Sequence, residues 1–170
     1  MRASKRFAGV GMLAALALIA FMIENLLPPL LAFAPGTKIG LASVFVTICL
    51  ILYGERDAFL VLIAKCVLGS IFSGNMFSLY YSLPAGLVSL LVSIILYRLA
   101  FPRVSVLCVS VISAAFHNIT QLLMAWALVG VAQVLLYVPV VILAGAIAGT
   151  LTGLCIYYAV RALPESLIYN

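Results

Sequence analysis

Six apolar runs, broken by charge, glycine and proline, set the pattern of the chain. They cover approximately residues 7–27, 39–53, 58–72, 79–96, 105–129 and 134–159. A helix needs roughly 18–20 apolar residues to cross a hydrocarbon core about 30 Å thick, and several runs reach that length. The second and third are short, with only "YGERD" (53–57) between them. The expectation is an all-α polytopic membrane protein: one domain over residues 1–170 with six transmembrane helices. The basic start followed by a long apolar stretch resembles a signal peptide. That stretch exceeds the usual length of such a segment, and the site Ala32-Phe33-Ala34 lies after Pro28-Pro29 and before Pro35. An uncleaved first helix is expected.

Composition strengthens the membrane reading. The chain is 67% hydrophobic and 8% charged over 170 residues, with a mean hydropathy of +1.35. A soluble domain would need far more polar surface. The net charge of +5 does not point to nucleic acid, because the basic residues stand singly or in pairs beside apolar runs. Lysine and arginine placed so fix membrane topology. With the N-terminus inside, Arg2, Lys5, Arg6, Arg56, Arg98, Arg103 and Arg161 fall on the cytoplasmic side, Lys38 falls outside, and Lys65 lies within a span. Both termini are expected in the cytoplasm and the protein in the cell membrane.

The first outer connection, Pro28 to Lys38, is apolar and carries three prolines and a glycine. It reads as a lid packed over the helices, with a plain interfacial loop as the alternative. Small residues mark close helix contacts. Gly145, Gly149 and Gly153 recur every fourth residue in the last span, where they close the protein's own bundle or offer a face to another protein. Gly11 and Ala15 on the first span are candidates for meeting a partner helix. Cys49, Cys66, Cys108 and Cys155 form no C-x-x-C pair and read as small packing residues.

Polar groups at membrane depth are costly and face a bundle interior, a cavity or one another. Here they gather in the outer half: Glu24 and Asn25, Lys38, Asn75, Tyr80, Tyr81, Ser82, His117, Asn118, Gln121 and Tyr137. Each has a plainer use. His117 and Gln121, four apart on one helix face, also serve as interhelical glue. Lys65 also snorkels or meets a carboxylate. Glu24 also neutralises Lys38, and interfacial tyrosines form a belt. Their convergence points to an outward-opening pocket for a mildly anionic or carbonyl-rich ligand with an apolar body.

Several chemistries lack their residues. There is no G-x-x-x-x-G-K-[ST] phosphate loop. Asp57 is the only aspartate, so no paired aspartates hold magnesium on a diphosphate. One histidine and scattered cysteines make no zinc or haem constellation. Neither catalysis nor a cofactor is expected.

Glu24 with Pro28-Pro29, the Pro35-Gly36-x-Lys38-x-Gly40-Leu41-Ala42 block, Gly69-Ser70, Tyr81-Ser82 with Gly86, and His117-Asn118 with Gln121 carry a resemblance over nearly the whole chain. The sequence resembles the Gx transporter family, whose members are often labelled heptaprenyl diphosphate synthase component I. Asparagine often stands in that family where Ser43 stands here, and arginine where Lys65 does. The resemblance implies a bundle like the substrate-binding S components of energy-coupling factor transporters, with six helices and a lid-like first loop.

The functional expectation is a membrane-embedded substrate-binding subunit of a vitamin- or cofactor-type importer. Glu24, Lys38, Lys65, Tyr81, His117, Asn118 and Gln121 would line its ligand site. A transmembrane coupling protein and ATPase subunits would be its partners. The alternative is a non-catalytic membrane component serving polyprenyl diphosphate or quinone synthesis, or a membrane redox complex.

Overall fold

The computed structural model describes residues 3–26, 40–100 and 103–162, all of whose regular structure is helical. The helices are α1 (Ala3–Leu26), α2 (Leu41–Tyr53), α3 (Glu55–Phe72), α4 (Phe77–Ala100), α5 (Val106–Val129) and α6 (Val138–Ala162). A 3-10 turn, Ala132–Tyr137, leads directly into α6. Four stretches are long and apolar enough to cross a membrane: Ser4–Leu26, Phe77–Leu99, Val106–Leu128 and Ala132–Ala162. The 13 residues of α2 rise only about 20 Å. The 18 residues of α3 rise about 27 Å, and Glu55, Arg56, Asp57 and Lys65 interrupt their apolarity.

The boundaries follow local chemistry. Gly54, with φ 92° and ψ −177°, adopts a conformation that side chains disfavour and alone separates α2 from α3. The charged "ERD" expected to belong to a loop is instead the first turn of α3, where acidic Glu55 and Asp57 face the positive end of the helix dipole. At the other end of α3, Asn75 N–H reaches Ser70 O at 3.2 Å and Gly74 N–H reaches Ile71 O at 3.1 Å. With Gly74 at φ 64°, these two bonds form a Schellman stop. Helix α6 begins at Val138 rather than at residue 134, because Val138 N–H still bonds in 3-10 fashion to Leu135 O. Pro139 then occupies the first turn of α6, where a missing N–H costs no helical bond.

Side-chain contacts fix the directions. Arg6 pairs with Asp57 at one end, and Phe21 lies over Gly69 towards the other, so α1 and α3 are parallel. Tyr53 packs on Gly9, and Leu41 N–H bonds Glu24, so α2 runs against α1. Odd-numbered helices point one way and even-numbered ones the other. The bundle thus has a Glu24 end and a Glu55 end. From α2 to α6 each helix packs on the next, and α6 returns to α2. Helix α1 lies outside this ring, against α2 and α3.

Leu13, Ala17, Val46, Leu50, Val61, Leu62, Leu90 and Ile156 belong to one buried apolar cluster joining α1, α2, α3, α4 and α6. The α5–α6 contact is the closest of the bundle. A Cβ at Gly149 would stand 2.6 Å from Val111 Cα, one at Gly145 would stand 2.9 Å from Ala115 Cα, and one at Gly153 would stand 3.2 Å from Leu107 Cα. Much of the outside is apolar, with Phe7, Leu60, Leu99, Leu143 and Ile147 widely exposed. A soluble protein would not leave so much large apolar surface uncovered.

Candidate functional site: a lysine cleft inside the helix ring

Lys65 stands two turns before the end of α3, and its residue is only 5% exposed. It lines a small cleft together with Ser43 and Thr47 of α2, Ser89 and Ser93 of α4, and His117 of α5. Val46, Leu62, Gly86 and Leu90 complete the wall. Gly86 allows this approach, because a Cβ there would fall 2.6 Å from Leu62 Cδ1. The cleft offers about 20 Å3, which is room for about one water molecule.

The polar lining comes from one face of each helix. Ser43 and Thr47 are four apart on α2, as are Ser89 and Ser93 on α4, so each pair points the same way. Ser43 Oγ donates to Gly40 O. Ser93 Oγ donates to Ser89 O at 3.0 Å, and it lies 2.8 Å from Ser113 Oγ across the α4–α5 contact. No carboxylate lines the cleft. Among the described residues, Lys65 makes no ion pair within 4.0 Å, although Glu24 attracts it at longer range. A lysine, a histidine and hydroxyls, gathered without an acid, form an anion-accepting set.

Glu24 itself is committed elsewhere. Its Oε1 accepts a hydrogen bond from Leu41 N–H at 2.7 Å, satisfying one of the free donors at the start of α2. Asn118 and Gln121 are 3% and 2% exposed on α5 but do not line the cleft. Gln121 Oε1 is buried with no hydrogen-bond partner among the described residues. Tyr81 is half-buried on α4 and stands outside the cleft lining. Gly11 and Ala15 are exposed on α1, and a Cβ at Gly11 would meet nothing within 4 Å. Lys38 and the 28–38 connection lie outside the described residues.

The cleft therefore brings Lys65 and His117 together and leaves Glu24, Tyr81, Asn118 and Gln121 around it. Taken singly, Thr47, Ser89 and Ser93 carry no distinct signal in the sequence, since an isolated hydroxyl in an apolar run reads as filler. Their signal is the spacing: Ser82, Gly86, Ser89 and Ser93 recur at i, i+4, i+7 and i+11 on α4, and Ser110, Ser113, His117 and Gln121 at i, i+3, i+7 and i+11 on α5, each set keeping to one helix face. A roomier cleft of about 210 Å3 opens at the Glu55 end beside Leu50, Gly54 and Ile94. Its charged groups, Arg98 and Glu55, already bond each other through two contacts of 2.7 Å. Among the described residues, no three His, Cys, Asp or Glu side chains gather as metal ligands.

A helix bundle with four membrane-length apolar stretches around a buried lysine defines the class, a helical protein of the membrane type. A family model described as heptaprenyl diphosphate synthase component I matches residues 13–159, and the chain belongs to that family. No curated protein and no solved structure matches the chain.

Proposed function

We propose that this chain is a non-catalytic, membrane-embedded binding subunit that holds a small anionic ligand with an apolar body between α2, α3, α4 and α5. The supporting observation is Lys65, buried in a cleft lined by His117 and hydroxyls with no acid among them. In this reading all six helices are embedded, with α2 and α3 inside the bundle's thickness. Both termini face the cytoplasm, because Arg6, Arg56, Arg98, Arg103 and Arg161 gather at the Glu55 end. The Glu24 end then faces outward.

The cleft as it stands holds little more than a water molecule, and a vitamin-sized ligand needs roughly a few hundred Å3, so binding requires the site to open. Helix α2 is the element suited to move. It is short, and positive-φ glycines, Gly40 and Gly54, bound it at both ends. Asn118, Gln121, Tyr81 and Lys38 would join the contacts as the site opens. In its importer form the subunit passes its ligand on through a transmembrane coupling protein driven by ATPase subunits, with Gly11 and Ala15 meeting that partner. The family description favours a second reading, in which the subunit presents an amphiphile to a separate polyprenyl diphosphate synthase.

Gentle affinity purification of the tagged protein from native membranes, with partners identified by mass spectrometry, separates the two. Recovery of a coupling protein with ATPases supports the importer. Recovery of a prenyl transferase without ATPases supports the synthase component and excludes the importer.

A further inference from the structure

We infer that the ligand reaches Lys65 from the Glu24 end alone, along a hydrated polar seam between α3, α4 and α5 that selects small anions. The inference rests on the proposed anion-binding role of the cleft and adds its route. Ser78, Ser82, Gly86, Ser89 and Ser93 lie on α4, and on an ideal helix they fall within a sector of about 80°. The lower three line the cleft. The upper two continue the same face to the α3–α4 turn. There Ser78 N–H bonds Asn75 O at 3.0 Å, and Asn75 N–H bonds Ser70 O at 3.2 Å.

Polar atoms above the cleft are buried and unanswered. Ser70 Oγ, Ser78 Oγ, Ser82 Oγ and Gln121 Oε1 have no hydrogen-bond partner among the described residues, and their residues are 0%, 9%, 4% and 2% exposed. Gln121 stands one turn beyond His117 towards the Glu24 end. Serine and threonine elsewhere in the bundle satisfy themselves on the preceding turn, as Ser73, Thr120 and Thr152 do at 2.6–3.0 Å. A buried polar atom left without a partner costs about 1–3 kcal/mol. Three of them, on Ser78, Ser82 and Gln121, continue the α4 and α5 faces that line the cleft and are accounted for by water or by a passing polar ligand, whereas Ser70 falls about 140° around α3 from Lys65. Ser110 Oγ is also unanswered, but it faces Gly153 of α6, away from this seam.

Below the cleft the polar groups are closed on one another. Ser93 and Ser113 bond each other, Ile94 is buried in the core cluster, and Arg98 is held by Glu55. The larger cleft at the Glu55 end shares no lining residue with the lysine cleft, and the Ser93–Ser113 bond with buried Ile94 stands between them, so the unanswered polar groups of the seam lie on the Glu24 side of Lys65.

The test uses single cysteines in the full chain, with exposed Cys108 and Cys155 replaced by alanine and that parent serving as the blank. Ser82→Cys and Ser89→Cys probe the seam. Tyr80→Cys marks the Glu24 end and Arg56→Cys the Glu55 end, since both side chains are exposed. Membrane vesicles of each orientation are treated with the impermeant sulfonatoethyl methanethiosulfonate or its trimethylammonium counterpart. Both seam cysteines should react only from the side that labels Tyr80→Cys. At Ser89→Cys the sulfonate should react about tenfold faster, relative to the cation, than at Tyr80→Cys. Adding Lys65→Met should remove that preference, and Lys65→Arg should keep it if the methionine variant fails to fold. Silence at both seam cysteines beside a labelled Tyr80→Cys overturns the route, as does reaction from the Arg56→Cys side. Reactive seam cysteines without anion preference overturn the anion selection and, with it, the proposed binding role of Lys65.

Discussion

The Glu24 carboxylate accepts a hydrogen bond from Leu41 N–H at 2.7 Å, so the last turn of α1 caps the first turn of α2. The bond spans the connection between the two helices and places a negative charge at the positive end of the α2 dipole. The same carboxylate attracts Lys65 from outside ion-pair range. One side chain thus holds the helix that supplies Ser43 and Thr47 to the cleft.

Glu24→Ala should lower stability by about 1 kcal/mol, the usual cost of a lost N-terminal acceptor. Glu24→Gln keeps an acceptor oxygen and should lose less. Thermal unfolding in detergent distinguishes them. An alanine variant as stable as the parent would mean the capping bond contributes nothing.

The sequence made the long helices legible because their apolar runs reach the roughly 18–20 residues that cross a bilayer, and it made Gly145, Gly149 and Gly153 stand out by spacing. It did not show that "ERD" starts a helix, since three charges beside a glycine read as a turn until the dipole of α3 is considered. Nor did it show Glu24's partner, because a backbone N–H carries no residue signature. Lys65 and His117 stand out in the sequence by their chemistry. That they share a cleft with Thr47, Ser89 and Ser93 depends on helix rotation, which an almost uniformly apolar pattern specifies poorly.

Gly149→Ala tests the α5–α6 contact. The added Cβ would meet Val111 Cα at 2.6 Å and Ser110 O at 2.9 Å, both backbone atoms, so the helices must separate. A loss of about 1–3 kcal/mol is expected. Gly11→Ala meets nothing within 4 Å and should leave stability of the isolated protein unchanged while weakening recovery of any partner that packs on α1. Equal loss in the two variants would show that Gly11 also serves the protein's own bundle.

The buried Ser93–Ser113 contact of 2.8 Å is suited to a double-mutant cycle. Interhelical hydrogen bonds in membranes couple by about 0.6 kcal/mol, seldom more than about 1.7. Ser93→Ala and Ser113→Ala should each destabilise, and the double variant should cost less than their sum. Strict additivity in unfolding experiments would mean that the two hydroxyls do not cooperate, and the seal below the cleft would then rest on packing alone.

Arg98 is bidentate to Glu55, but its side chain is 69% exposed. Solvent and salt screen such a pair, which contributes about 0–1 kcal/mol. Arg98→Ala should therefore cost less than about 1 kcal/mol, and the cost should shrink further at high ionic strength. A larger, salt-insensitive loss would show that the pair is shielded within a partner or the membrane interface.

Lys65→Met separates folding from function. Methionine fills a similar length without an amine, and Lys65 is buried with no ion pair among the described residues, so the substitution removes the cost of burying that polar group. Unfolding of the variant should accordingly occur at the same temperature or higher. The parent's unfolding temperature should rise with added acetate or inorganic phosphate, because an anion bound only to the folded state stabilises it by mass action. Lys65→Met should lose that response and Lys65→Arg should retain it. If Lys65→Met instead unfolds earlier while both proteins respond equally to anions, Lys65 holds helices together, and the cleft is structural.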